Sequence, residues 1–171
     1  MNEQTLMRIA SAMVDKGKGV LAADESTPTI GKRLKQINVE STFESRNEYR
    51  DMLFTADGLE ENISGIIMYD ETLRQKTTCD DKVPFVDIMN DKGIIPGIKV
   101  DTGAKTLAGS EQEKITEGLD GLRERLEEYH QIGARFAKWR TVITIGDSIP
   151  SDLCIIANAH TLARYASLCQ E

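Results

Sequence analysis

Gly19-Val20-Leu21-Ala22-Ala23-Asp24-Glu25-Ser26 decides how this chain is read. A short apolar strand there delivers an acid and a hydroxyl, side by side, at its C-terminal end. Three later runs end in charge the same way: Ile66-Ile67-Met68-Tyr69-Asp70-Glu71, Gly97-Ile98-Lys99-Val100-Asp101 and Phe136-Ala137-Lys138-Trp139-Arg140. Buried strands that all deploy charge near one end describe a parallel α/β barrel with its site at that rim.

Outward from these strands, the chain alternates strand and helix four times. Leu6, Ile9, Ala10 and Met13 recur at helical spacing, which predicts a helix over 4–15 before the first strand at 20–24. Ser26, Thr27 and Thr29 are placed to cap a helix beginning near Ile30, and a further helix is predicted from Phe43 to Ala56. The second strand is expected at Ser64 to Tyr69. Residues 72–92 read as irregular, with a short helix at Phe85 to Met89. The third strand is expected over Ile94 to Val100, with Pro96 marking a bulge or a distorted start. Ile115, Leu119, Leu122, Leu126 and Tyr129 form one stripe, predicting a helix over 113–131, whose Glu124–Glu128 stretch is its wet face. A fourth strand is expected at Ala134 to Ile143, and Ser151 caps a last helix. A doubly wound open sheet shares this rhythm. The barrel is preferred because no Gly-x-Gly-x-x-Gly follows the first strand, and because lysines within strands need a polar interior.

The net charge of −7 over 171 residues disfavours nucleic acid and anionic membranes as partners, while leaving room for small anions in local basic pockets. No segment approaches the ~20 apolar residues of a membrane span, and Met1-Asn2-Glu3-Gln4 lacks the features of a leader, so a cytoplasmic protein is expected. Cys79, Cys154 and Cys169 are odd in number, show no CxxC spacing and read as reduced thiols. His130 and His160 stand alone, so no metal is expected.

Lys138 and Arg140 lie two apart on one predicted strand and should face the same way. Two neighbouring cations favour a nucleophilic or proton-donating amine, and they also grip phosphate. Lys99, in the apolar run 94–100, needs a partner or a ligand, and Asp101 could be that partner. Asp24 could orient a hydroxyl or an ammonium, or cap the next helix. Ser26, Thr27 and Thr29 with Lys32 and Arg33 behind them could cradle phosphate, although capping explains the hydroxyls equally well. Arg46 and Arg50, one helical turn apart among acids, read as surface ion pairs.

With these residues assembled, the chain resembles the class I fructose-bisphosphate aldolases. The resemblance is carried by Gly-Val-Leu-Ala-Ala-Asp-Glu-Ser, Gly-Ile-Lys-Val-Asp-Thr-Gly, Leu-Ala-Gly, Glu-Gly-Leu-Asp-Gly-Leu, Arg-Phe-Ala-Lys-Trp-Arg and Asn-Ala-His-Thr-Leu-Ala-Arg-Tyr-Ala, in one order. It implies a (β/α)8 TIM barrel, of which residues 1–171 would form about the first four β/α units of a single domain. It also implies a cytosolic homotetramer that needs no metal or other cofactor. The implied reaction is reversible cleavage of fructose 1,6-bisphosphate to dihydroxyacetone phosphate and glyceraldehyde 3-phosphate through a lysine imine. Asp24 would orient the imine centre and Lys138 would serve it as charged partner and proton donor. Ser26, Lys99 and Arg140 would contact the substrate or its phosphate. Arg33 and Arg46 would contribute from the following helices, and Thr29 stands where the family often has serine.

The family's imine-forming lysine lies in a Glu-Gly-x-x-Leu-Lys-Pro segment, which these residues do not contain. The expectation is therefore a partial aldolase sequence, with strands 1 to 4 only and little activity by itself. The rival expectation is a non-catalytic half-barrel that binds sugar phosphates or assembles through its open edges. Another phosphosugar barrel enzyme is a third and more distant reading.

Overall fold

A computed structural model describes residues 3–171. The leader-free start read from Met1-Asn2-Glu3-Gln4 therefore falls partly outside the described residues. The elements run α1 (Glu3–Met13), β1 (Gly19–Ala23), α2 (Thr27–Gln36), α3 (Phe43–Phe54), α4 (Leu59–Asn62), β2 (Ile63–Met68) and α5 (Asp70–Leu73). They continue with α6 (Phe85–Asp91), β3 (Ile95–Lys99), β4 (Gly103–Thr106), β5 (Lys114–Glu117), α7 (Leu122–Ile132), β6 (Phe136–Lys138) and α8 (Asp152–Gln170). The four predicted strands form one sheet in the order β1-β2-β3-β6. The β1–β2 and β2–β3 pairs are parallel. Hydrogen bonds from the Arg135 N–H to the Pro96 carbonyl and from the Val100 N–H to the Lys138 carbonyl advance together along both chains, the parallel sense for β6.

The chain divides into two compact units. One holds the residues up to Lys99 with Tyr129–Ala137, and the other holds Val100–Glu128 with Lys138–Glu171. In the first, alternation along the strands gives the sheet two different faces. Ala23, Ile66, Met68 and Ile98 are buried beside Ile30, Leu34, Phe54, Phe85 and Met89 from the helices. Phe54 and Phe85 meet edge to face at 5.0 Å. The opposite face carries Gly65 and Gly97, and the Phe136 ring lies against both: a Cβ on Gly97 would sit 2.2 Å from the ring, and one on Gly65 3.2 Å. Glycine here is a space requirement, since β3 must pass beneath an aromatic ring.

Pro96 produces no bulge. The β2–β3 register runs without a break from Gly65↔Ile95 to Met68↔Ile98, and the irregularity falls instead at Gly19/Val20. In a parallel strand a residue's N–H and C=O face the same neighbour. The Pro96 carbonyl takes Arg135, so the missing donor points before the start of β6, where the ladder lacks nothing.

The second unit contains the largest departure from the periodicity reading. Residues 113–131 are not one helix: Lys114–Glu117 is a strand, paired antiparallel with Gly103–Thr106, and the helix begins at Leu122. Gly118 at φ +131° makes the break, and a Cβ there would lie 2.9 Å from the Thr102 nitrogen. The fourth strand is shorter than expected, ending at Lys138 rather than Ile143. Ser151 caps α8 as predicted, its hydroxyl accepting from the Cys154 N–H at 3.2 Å.

Glu113 fastens the β4–β5 hairpin to that helix start. Its carboxylate accepts from the Ser151 N–H at 2.6 Å and from the Ser151 hydroxyl at 2.8 Å. The Ser151 backbone bond leads in holding the Glu113 carboxyl below its ordinary value of 4.5. A depressed folded value means the stabilisation is whole above the unfolded value and is lost as pH falls through the folded one. Wild-type protein should therefore protect the amides of 114–117 from hydrogen exchange better than Glu113→Gln near neutrality. The difference should shrink progressively as pH falls below the ordinary value of 4.5, and a difference that is flat with pH would remove Glu113 from this role.

Candidate functional site

Ala23, Met68 and Ile98 are register partners across three strands. Asp24, Tyr69 and Lys99 therefore follow at one level, where the strands end, on the face away from the helices. With strands about 4.8 Å apart, Asp24 and Lys99 stand about 10 Å from each other across the rim. Both are partly exposed.

Ser26, rather than Asp24, is the N-cap of α2, so capping does not account for Asp24. Nor does it account for the Ser26 hydroxyl, which makes no cap bond and instead lies 3.2 Å from the Thr29 hydroxyl. The helix starts at Thr27, earlier than predicted. Pro28 carries no N–H, and the N–H groups of Thr29 and Ile30 are both spent on the Ser26 carbonyl. Any anion at this turn would meet hydroxyls and cations more than backbone donors.

The α3 arginines go to different places from those predicted. Arg46 grips Glu71 through two parallel bonds, Nε to Oε1 at 2.7 Å and Nη2 to Oε2 at 2.6 Å, and also reaches the Ser41 carbonyl at 3.2 Å. The Glu71 bond leads in raising the Arg46 pKa. Arg50 is not a surface residue. It is buried and pairs with Glu25 at 2.6 Å, and it also donates to the Glu25 carbonyl at 3.3 Å. Arg33, on α2, pairs with the same Glu25 carboxylate.

Glu25 and Glu71 escaped the sequence reading, although each is an acid just beyond the end of an apolar strand. Two acids at strand ends and two arginines at i, i+4 on one helix were the available signal. Helical spacing shows only that Arg46 and Arg50 are neighbours. It does not show that both turn inward, in line with buried Phe54.

In the second unit, Lys138 ends β6 and Arg140 lies just beyond the strand, exposed. Strand alternation therefore no longer fixes their relative direction. β6 lies at one end of the sheet and is half-buried rather than enclosed. Asp101 is buried and accepts from the Gly103 N–H at 3.2 Å and the Arg140 N–H at 3.3 Å. The Thr116 hydroxyl donates to the Arg140 carbonyl at 2.8 Å. Trp139 packs on Tyr165, ring centres 5.3 Å apart. The three cysteines are free, with Cys154 buried and Cys79 exposed. Burial raises the Cys169 thiol to about 11.

Parallel strands joined by helices, with acids, hydroxyls and cations at their C-terminal ends, define a protein of the β/α-barrel class. The chain belongs to the class I fructose-bisphosphate aldolase family, whose family model matches residues 5–171. The protein named "Probable fructose-bisphosphate aldolase class 1" of Xanthomonas campestris pv. campestris is 60% identical over 171 residues, all of this chain and 51% of the relative. The fructose-bisphosphate aldolase of Schistosoma mansoni is 53% identical over 170 residues, 99% of this chain and 46% of the relative. The chain thus spans about half the length of the curated relatives it matches. Among solved structures, fructose-bisphosphate aldolase from Plasmodium falciparum, in complex with TRAP and a small-molecule inhibitor, matches with a TM-score of 0.93 and 51% identity. That match covers 98% of this chain and 48% of the other. No helix among the described residues is long and apolar enough to cross a membrane.

Proposed function

We propose that this chain serves the reversible aldol cleavage of fructose 1,6-bisphosphate to dihydroxyacetone phosphate and glyceraldehyde 3-phosphate. Family membership across residues 5–171 carries the reading. The level arrangement of Asp24 and Lys99, and a Ser26 hydroxyl that makes no cap bond, support it. In class I chemistry an amine attacks the C2 ketone, water leaves, and the protonated imine accepts the electron pair as the C3–C4 bond breaks. Asp24 orients that centre electrostatically, and Lys138 is its charged neighbour and proton donor. Ser26, Thr29, Arg33, Lys99 and Arg140 hold the sugar phosphate. Arg46 contributes through Glu71, keeping the rim in shape. In the cell the protein works in the cytoplasm as a homo-oligomer, with these residues forming part of one barrel domain.

The nucleophilic lysine of the family motif is not among these 171 residues. Incubating the chain with dihydroxyacetone phosphate, reducing with borohydride and weighing it should therefore show no stoichiometric adduct. A full-occupancy mass increase would give the imine to Lys138 or Lys99 and overturn the division of roles.

A further inference from the structure

Glu25 is one carboxylate held by two guanidiniums that differ sharply in exposure. The side chains of Glu25 and Arg50 are 9% and 3% exposed, whereas that of Arg33 is 56% exposed. One negative and two positive charges leave a surplus of one. Losing Arg50 would leave the buried Glu25 carboxylate to an exposed arginine alone, whereas losing Arg33 would leave a neutral Glu25–Arg50 ion pair with the Arg50 bond to the Glu25 carbonyl intact. Only Arg33 can be given up cheaply, because its half of the arrangement is an exposed ion pair. Ser26, Thr29 and Arg33 recur at i, i+3 and i+7, on one face of α2, so a released Arg33 lies one turn along from the paired hydroxyls.

We infer that Glu25 is a carboxylate latch on Arg33: a phosphate dianion at the Ser26–Thr29 turn takes Arg33 from Glu25, while Arg50 stays behind as the counter-ion. The inference rests on the sugar-phosphate reading above. Phosphate carries more charge than a carboxylate and can accept a bidentate fork, whereas Arg33 meets Glu25 through Nη1, so the exchange favours the ligand. Glu25 is then a positioning residue. It keeps Arg33 ordered in the free protein and sets the affinity through competition.

The test is titration of the 171-residue chain with fructose 1,6-bisphosphate, and separately with inorganic phosphate, following the arginine Nε–H resonances by NMR. Each ligand should move the Arg33 signal and leave that of Arg50 in place. Glu25→Gln, provided it folds, should bind phosphate about three- to fivefold more tightly, the scale of one exposed ion pair removed from competition. Arg33→Ala should abolish that gain. If Glu25→Gln does not fold, the wild-type resonances decide. Binding with a stationary Arg33 signal, or with both signals moving, overturns the latch and spares the sugar-phosphate reading. Failure of both ligands to bind at millimolar concentration overturns that reading and the latch with it.

Discussion

Replacing Gly97 with alanine should destabilise the protein by about 3 kcal/mol, the upper end of the range for overpacking a filled site. The new methyl would meet three atoms of the Phe136 ring between 2.2 and 2.5 Å. No rotation of a methyl relieves that overlap, so the ring must leave or β3 must bend. The intrinsic gain from removing a glycine within a strand, about 0.5–1 kcal/mol, is too small to offset it. Urea denaturation measures the loss, and a double change with Phe136→Leu separates its cause. Shrinking the ring should return most of the stability, giving strong non-additivity between two residues in contact. Gly65→Ala should cost less, because its Cβ would sit 3.2 Å from the ring edge. Equal losses at the two glycines, or an additive double mutant, would show that the ring does not lie over β3 as described.

Arg50→Met should cost about 3 kcal/mol, near the lower bound for breaking a buried ion pair. Methionine keeps much of the volume, so the loss reports the charge and the hydrogen bond to the Glu25 carbonyl more than a cavity. Arg33 still neutralises Glu25 in this variant, which keeps the cost from the top of the range. Arg50→Lys should recover only part of it, because a point charge cannot serve the carboxylate and the backbone carbonyl with the same fixed fork. Chemical denaturation of the three proteins orders them. Removing Arg33 instead should change stability by less than about 1 kcal/mol, as for an exposed pair. If Arg50→Met and Arg33→Ala proved equally mild, the burial asymmetry around Glu25 would be refuted.

The strands were legible because each is a short apolar run closed by charge, a pattern local to the chain. The sheet order agrees with it, and the Ser151 cap, read from a serine ahead of an apolar helical stripe, is equally local. The hairpin at 103–117 was not legible. Ile115 and Leu119 happen to continue the spacing of Leu122, Leu126 and Tyr129, and a three-to-four period is blind to a backbone reversal at Gly118. Two glycines at 118 and 121, with Ile115-Thr116 before them, were the contrary signal. Asp24, Ser26 and Lys99 could be placed on the rim from strand ends alone. Glu25, Glu71 and the inward turn of Arg50 could not, because their partners are 25 residues away in sequence and only the packing of α3 joins them.

That packing of α3 has a mechanical meaning. Successive turns of one helix hold the end of β1 through Arg50–Glu25 and the segment just after β2 through Arg46–Glu71, so the helix acts as a splint across two strand tips. A small roll about its axis would carry both carboxylates together, and with them the tips on which they stand. The spacing of the site's first two walls is thus set by charge at right angles to the strands, in addition to the ladder between them. Because both pairs are largely shielded from water, that spacing should hold nearly constant as salt is raised.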